Sequence, residues 1–139
     1  MTDYKYQIKA VTADAVVFSI IEKKLSCLLI KRGVTPYKEK WALPGGFLKR
    51  NESAENAFKR ELLEESGQSY KQLNSWTEFR SYSNPKRDPR NTDEYQIISI
   101  AFVGITNKDS LKIKAGSDAL EARMFPIQNL KKNDIAFDH

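Results

Sequence analysis

Residues 52–67 read Glu52-Ser53-Ala54-Glu55-Asn56-Ala57-Phe58-Lys59-Arg60-Glu61-Leu62-Leu63-Glu64-Glu65-Ser66-Gly67, and this stretch decides the fold class. Ala54, Ala57, Phe58, Glu61, Leu62 and Glu65 fall at helical spacing i, i+3, i+4, i+7, i+8 and i+11, so they share one face. Asn51 or Ser53 can cap the start, Glu52 and Glu55 sit near the positive end of the helix dipole, and Gly67 supplies the stop. The pattern predicts a helix over 52–66, about the average length for a globular domain.

Outward from the helix, the chain reads as strands. Residues 11–21 form a β-branched run and 25–31 another, separated by Glu22-Lys23-Lys24, which predicts a hairpin. Residues 33–40 are a loop, and Trp41-Ala42-Leu43 leads into the break Pro44-Gly45-Gly46. Strands are predicted over 76–82 and 95–105, the second nearly continuous in apolar residues and therefore central. The polar segment 83–93, with two prolines, joins them as a loop. A short strand is expected over 111–114, another closes at Met124-Phe125-Pro126, and 127–130 begins a helical turn. Strands around one strong helix give an α/β class with a mixed sheet.

Composition excludes several chemistries. The 139 residues suit one domain, and 23 Lys plus Arg against 18 Asp plus Glu give a net charge of +5. No apolar run approaches the ~18 residues of a membrane helix, and residues 1–9 are too polar for a signal peptide, so the chain reads as cytoplasmic. The single cysteine, Cys27, lies in an apolar run and is expected in the core. With one Cys and one His there is no Cys/His zinc site. His139, the last residue, is not expected to act as a general base. Catalysis falls to carboxylates, arginines, lysines or a hard metal ion.

The helix end carries that chemistry. Glu61 and Glu65 lie on the inward stripe, with Glu64 at its border. Carboxylates there cost free energy unless paired or metal-bound, and in the last turn they also face the negative end of the dipole. Crowded oxygen ligands without nearby His or Cys select Mg²⁺ or Mn²⁺, ions commonly shared with substrate phosphates. Arg60, beside Glu61 and four residues before Glu64, is placed to neutralise the cluster. Gly45 and Gly46 offer backbone that can approach a ligand closely.

Gly46, five residues, Glu52, seven residues, then Arg60-Glu61-Leu62-Leu63-Glu64-Glu65-Ser66-Gly67 resembles the Nudix box, G-x5-E-x7-R-E-U-x-E-E-x-G-U, with U bulky and aliphatic. All seven fixed positions and the first U match. At about 7% usage per residue type, such a coincidence arises in roughly one window per 10⁸. The last U is Gln68, a departure expected to loosen packing after the helix. The resemblance implies an α/β/α sandwich and hydrolysis of a pyrophosphate in a nucleoside diphosphate linked to some moiety X. It implies that Glu61, Glu64 and Glu65 ligate metal together with the Gly45 carbonyl, and that Arg60 and Glu52 hold the cluster in shape.

Further segments, among them Trp41 to Phe47, Asn84-Pro85-Lys86-Arg87-Asp88-Pro89-Arg90 and Ala136-Phe137-Asp138-His139, resemble one Nudix branch. This branch comprises the ADP-ribose pyrophosphatases and the Nudix-related transcriptional regulators of NAD metabolism. The loop 80–90 holds Arg80, Lys86, Arg87 and Arg90 against Asp88, and arginine forks suit a diphosphate or a terminal ribose. Gly45, Gly46, Phe47, Arg80, Arg87 and Arg90 are thus the expected ligand residues. Trp41, Phe47, Phe79 and Tyr82 are candidates to stack on adenine, weighed against plain core roles. The resemblance points to a glutamate on a later loop as base; Glu121 is taken first and Glu94 second.

Two readings follow. The first is an ADP-ribose-sensing domain of a transcriptional regulator, favoured by the basic charge; its helix after residue 139 and a winged-helix DNA-binding domain are expected beyond this single domain of 1–139. The second is a Mg²⁺-dependent ADP-ribose pyrophosphatase releasing AMP and ribose 5-phosphate, favoured by the intact box. A triphosphate-sanitising enzyme would share the box but leaves the Arg-Asp-Pro-Arg loop unexplained. A homodimer is expected as the commonest arrangement.

Overall fold

A computed structural model describes residues 8–139; most of the polar stretch 1–9 read above lies outside them. The order is β1 (Ile8–Ile21), β2 (Lys24–Arg32), β3 (Trp41–Ala42), β4 (Gly45–Phe47), α1 (Ala54–Ser66), β5 (Ser75–Tyr82), β6 (Tyr95–Ile105) and β7 (Ala119–Pro126), with short 3₁₀ turns between and after. The hairpin is closed by Glu22 and Lys23 at φ 49° and 66°. Two left-handed residues in a two-residue loop match the right-handed twist of the strands on either side.

The seven strands form one mixed sheet. Its main path runs β3-β2-β1-β6-β5, with β4 added to β1 and β7 to β2. β1 and β6 pair in parallel over eleven positions, from Ile8↔Tyr95 to Phe18↔Ile105, and the other pairs are antiparallel. As expected, β6 is interior. The α/β class and mixed sheet therefore hold. Of the three layers a sandwich implies, the described residues supply two, a sheet and one helix.

Small side chains let the helix sit close to the sheet. Ala13, Ala15 and Val17 of β1 are buried against Ala57, Phe58 and Leu62, with Leu28 and Phe102 completing the core. Phe58 stacks on Phe102 at 4.8 Å between centroids, nearly parallel. The helix is capped by Ser53, whose hydroxyl accepts from the Asn56 N–H, and ends at Gly67 in the left-handed region, φ 75°. Cys27 is buried in the core, and burial pushes its thiol up to about 11.

Two expectations are corrected here. Residues 111–114 are not a strand. Lys112 N–H donates to Gln68 Oε1 at 2.9 Å and Lys114 N–H to the Ser66 carbonyl at 2.6 Å, so helix-end acceptors take the donors a ladder would use. Gln68 does not loosen the packing. It is fully buried, and its Nε2 reaches the Ser69 carbonyl, Gln72 Oε1 and the Ser110 carbonyl at 3.3–3.4 Å. A satisfied amide replaces the aliphatic side chain.

The packing makes a direct prediction. Phe58→Ala should cost about 3–5 kcal/mol of stability in urea denaturation, whereas Leu63→Ala, on the exposed face, should cost less than about 1 kcal/mol. Equal losses would contradict the assigned faces.

Candidate active site

β4 brings the glycines to the helix. It pairs with β1 through Ala13↔Gly46 and Asp14↔Gly45, directly beneath the end of α1. A Cβ on Gly46 would lie 2.5 Å from Glu61 Oε1, and one on Gly45 2.1 Å from Asp14 Oδ1 and 2.5 Å from the Ala13 carbonyl. Only glycine allows this approach.

Arg60 organises the carboxylates. Its Nε and Nη2 donate to Glu52 Oε2 and Oε1, both at 2.8 Å, and Nη1 donates to Glu61 at 2.6 Å and Glu64 at 3.2 Å. Nη2 also reaches the Phe47 carbonyl at 3.0 Å. Its hydrogen bonds to Glu52, outweighing burial, raise the affinity of Arg60 for its proton. The same bonds, helped by the Lys49 N–H, pull Glu52 from the ordinary 4.5 down to about 2.

Glu65 is the opposite case. It is 7% exposed, and the Gly45 N–H donates to its Oε1 at 2.8 Å. Burial, reinforced by neighbouring Glu61, holds its carboxyl well above the usual range. A buried carboxyl beside a second one is a place where a cation relieves the cost of charge. Among the described residues no three Asp, Glu, His or Cys side chains converge into a complete ligand set. Glu61 and Glu65 still fit a hard divalent ion that takes its other oxygens from backbone, water or phosphate.

These groups line a cavity of about 350 Å³. Of the sequence-predicted residues, it gathers Gly45, Gly46, Phe47, Arg60, Glu61, Glu65, Arg87 and Arg90. Others stand apart. Glu64 is turned to Arg60 and exposed. Arg80 lies on the edge strand β5 with its guanidinium 5.0 Å over Tyr82. Glu121 points from β7 to Lys31 and Arg123, at 3.6 and 2.9 Å. Glu94 is exposed ahead of β6. Trp41 packs edge-on to Phe125 at 4.6 Å, while Phe79 and Tyr82 line a second, apolar cavity of about 660 Å³.

Asp14, Arg32, Phe137 and His139 are among the cavity residues given no site role in the sequence reading. Arg32 ends a strand of apolar residues, a placement that could have signalled it. Its Nε donates to the Pro36 carbonyl at 2.7 Å, and burial together with Arg90 weakens its hold on its proton. His139 is no loose end. Its imidazole Nδ1 accepts from the Leu43 N–H at 3.1 Å, Nε2 lies 4.0 Å from Asp14 Oδ2, and burial, only partly opposed by Asp14, favours the neutral ring. Ser99 Oγ donates to the same aspartate. Arg90 stacks between Phe47 and Phe137, its guanidinium carbon 5.2 Å from each ring centroid.

The NUDIX domain family matches residues 11–139. The chain belongs to the Nudix family. A Nudix relative, the ADP-ribose pyrophosphatase of Methanocaldococcus jannaschii, is 43% identical over 135 residues, 97% of this chain and 73% of that protein. The ADPR responsive transcriptional repressor NtrR of Acinetobacter baylyi is 29% identical over 96% of this chain, which spans only about half (51%) of its length. The NUDIX domain of Shewanella oneidensis NrtR, solved as a complex with ADP ribose, shares the fold with a TM-score of 0.83 at 22% identity, over 99% of this chain and 87% of that one. Among the described residues no helix is long and apolar enough to cross a membrane.

The depressed Glu52 makes a prediction with a definite sign. A carboxylate whose folded pKa lies below its unfolded one contributes stability above the ordinary 4.5 that is lost as pH falls towards about 2. The stability gap between the native chain and Glu52→Gln, measured by urea melts, should therefore be present at pH 7 and shrink steadily below pH ~4.5. A gap that stays constant with pH would contradict the Glu52–Arg60 assignment.

Proposed function

We propose that this Nudix domain binds ADP-ribose in the arginine-lined cavity and, with a divalent cation, hydrolyses its pyrophosphate to AMP and ribose 5-phosphate. The observation that carries the reading is the meeting of Glu61 and Glu65 with Arg32, Arg87 and Arg90 in one cavity. Carboxylates suit a cation, and guanidinium forks suit the diphosphate and sugar it would accompany. The archaeal pyrophosphatase, matched over nearly all of this chain, supports it.

Glu61 and Glu65 would hold Mg²⁺ or Mn²⁺, with the Gly45 carbonyl and Glu64 assisting. Such an ion neutralises phosphate oxygens and supplies an activated water. Arg60 and Glu52 keep the ligating carboxylates in place, and Phe47 forms an aromatic wall. Arg80 and Glu121 have no part in this arrangement, because neither lines the cavity. His139 and Asp14, which do line it, become the nearer polar groups. The reading places the chain in the cytoplasm, acting in NAD metabolism as a homodimer.

A second reading is the sensing domain of a transcriptional regulator, favoured by the match to the ADPR responsive repressor, of which this chain spans half. DNA contact would then belong to a further domain. ³¹P NMR of ADP-ribose with the protein and Mg²⁺ separates the readings. Two growing monophosphate signals mean hydrolysis, and shifted diphosphate signals without monophosphate mean sensing. Unchanged signals would refute both. If hydrolysis is seen, Glu65→Gln should abolish it, and undiminished turnover in that variant would refute the assigned cation site.

A further inference from the structure

The turn 43–45 carries the glycine backbone to the end of α1, and three different segments hold it there. Pro44 is fully buried and has no N–H, so the backbone donors of the turn are Leu43 and Gly45. The Gly45 N–H goes to Glu65 Oε1 at 2.8 Å. The Pro44 carbonyl accepts from the Ala15 N–H of β1 at 2.7 Å. The Leu43 N–H goes to a side chain 96 residues away, His139 Nδ1, at 3.1 Å.

That last bond fixes the state of the imidazole. An Nδ1 that accepts carries no proton, so the neutral ring holds its proton on Nε2, which lies 4.0 Å from Asp14 Oδ2. Burial favours the same neutral form. The ring is set between the turn and Asp14, whose Oδ1 lies hard against the Gly45 backbone, where a Cβ would stand. Glu65 takes its hydrogen bond from the Gly45 N–H, so the place of its carboxylate follows the place of the turn. Without an acceptor at His139, the Leu43 N–H would be unpaired in a half-buried position, a costly state that the turn relieves only by moving.

We propose that His139 is a positioning residue for the divalent cation. By accepting from Leu43 it holds the turn 43–45, and through the turn it holds Gly45 and Glu65 in the arrangement offered to the ion. The inference rests on the cation site proposed above and adds to it a residue that acts through the backbone rather than as a ligand. Linkage makes the effect reciprocal: if the held turn favours the ion, the ion favours the Leu43–His139 bond by the same factor. The acceptor is what matters, not the ring. Asparagine can place an amide oxygen where Nδ1 stands, whereas leucine fills the space and accepts nothing.

Amide hydrogen exchange read by NMR and Mn²⁺ titration read by EPR test this on the whole chain. In the native protein, saturating Mg²⁺ should slow exchange of the Leu43 and Gly45 amides together, although Leu43 is no ligand. His139→Leu should speed exchange at both amides and weaken Mn²⁺ binding at least about tenfold, the scale of losing a partner behind a metal ligand. His139→Asn should keep Mn²⁺ affinity close to native, each variant being measured well below the midpoint of its melting curve. A native Leu43 amide indifferent to Mg²⁺, a measurement that needs no variant, overturns the inference while leaving the cation site in place. So does a folded His139→Leu variant that binds Mn²⁺ as the native chain does, or an equal loss in both variants. A native chain that takes up no Mn²⁺ overturns the cation site itself, and this inference with it.

Discussion

A carboxylate pair buried at the C-terminal end of a helix is opposed by desolvation, by mutual repulsion and by the helix dipole, and much of this structure answers that constraint. Glu61 and Glu65 sit on the stripe that also carries Ala57, Phe58 and Leu62, so the burial that fixes the helix on the sheet also draws the carboxylates inward. Arg60 gives its fork to Glu52 and its remaining reach to Glu61, Glu64 and the Phe47 carbonyl. The chain before the helix and the helix end are thereby joined through one side chain. Glu65, outside that network, is left with a single backbone donor, the Gly45 N–H.

The same constraint explains the glycines and the wall behind them. Two strand residues must pass within contact distance of Glu61 and Asp14, which no side chain permits. Asp14 adds another buried carboxylate, met by the Ser99 hydroxyl and by the edge of His139. The cavity thus concentrates negative charge at its floor, while the arginines stand at Arg32 and on the loop 84–91.

What could be read from sequence was what depends on local spacing. The helical stripe, its cap at Ser53, the stop at Gly67 and the β6 boundaries follow from periodicity and backbone preference. Spacing also carried Arg60, Glu61 and Glu65, because residues one turn apart on a helix must be neighbours. Illegible were features set by which distant segments meet. Glu121 pairs across the sheet with Lys31, a consequence of the β2–β7 register, which no local pattern reveals. Arg80 follows a register shift in β5, so counting along the strand does not place it. His139 is distant in sequence and close in space, brought back because Ile135 bridges Trp41 and the Ala136 N–H donates to the Trp41 carbonyl. Gln68 broke the aliphatic pattern, yet its amide found partners from a segment more than forty residues later.

That returning segment has a mechanical consequence. Leu43, Arg87, Asp14 and His139 line both the polar cavity and the apolar one, so four side chains serve as wall to two rooms of opposite character. A substitution at any of the four alters both linings at once.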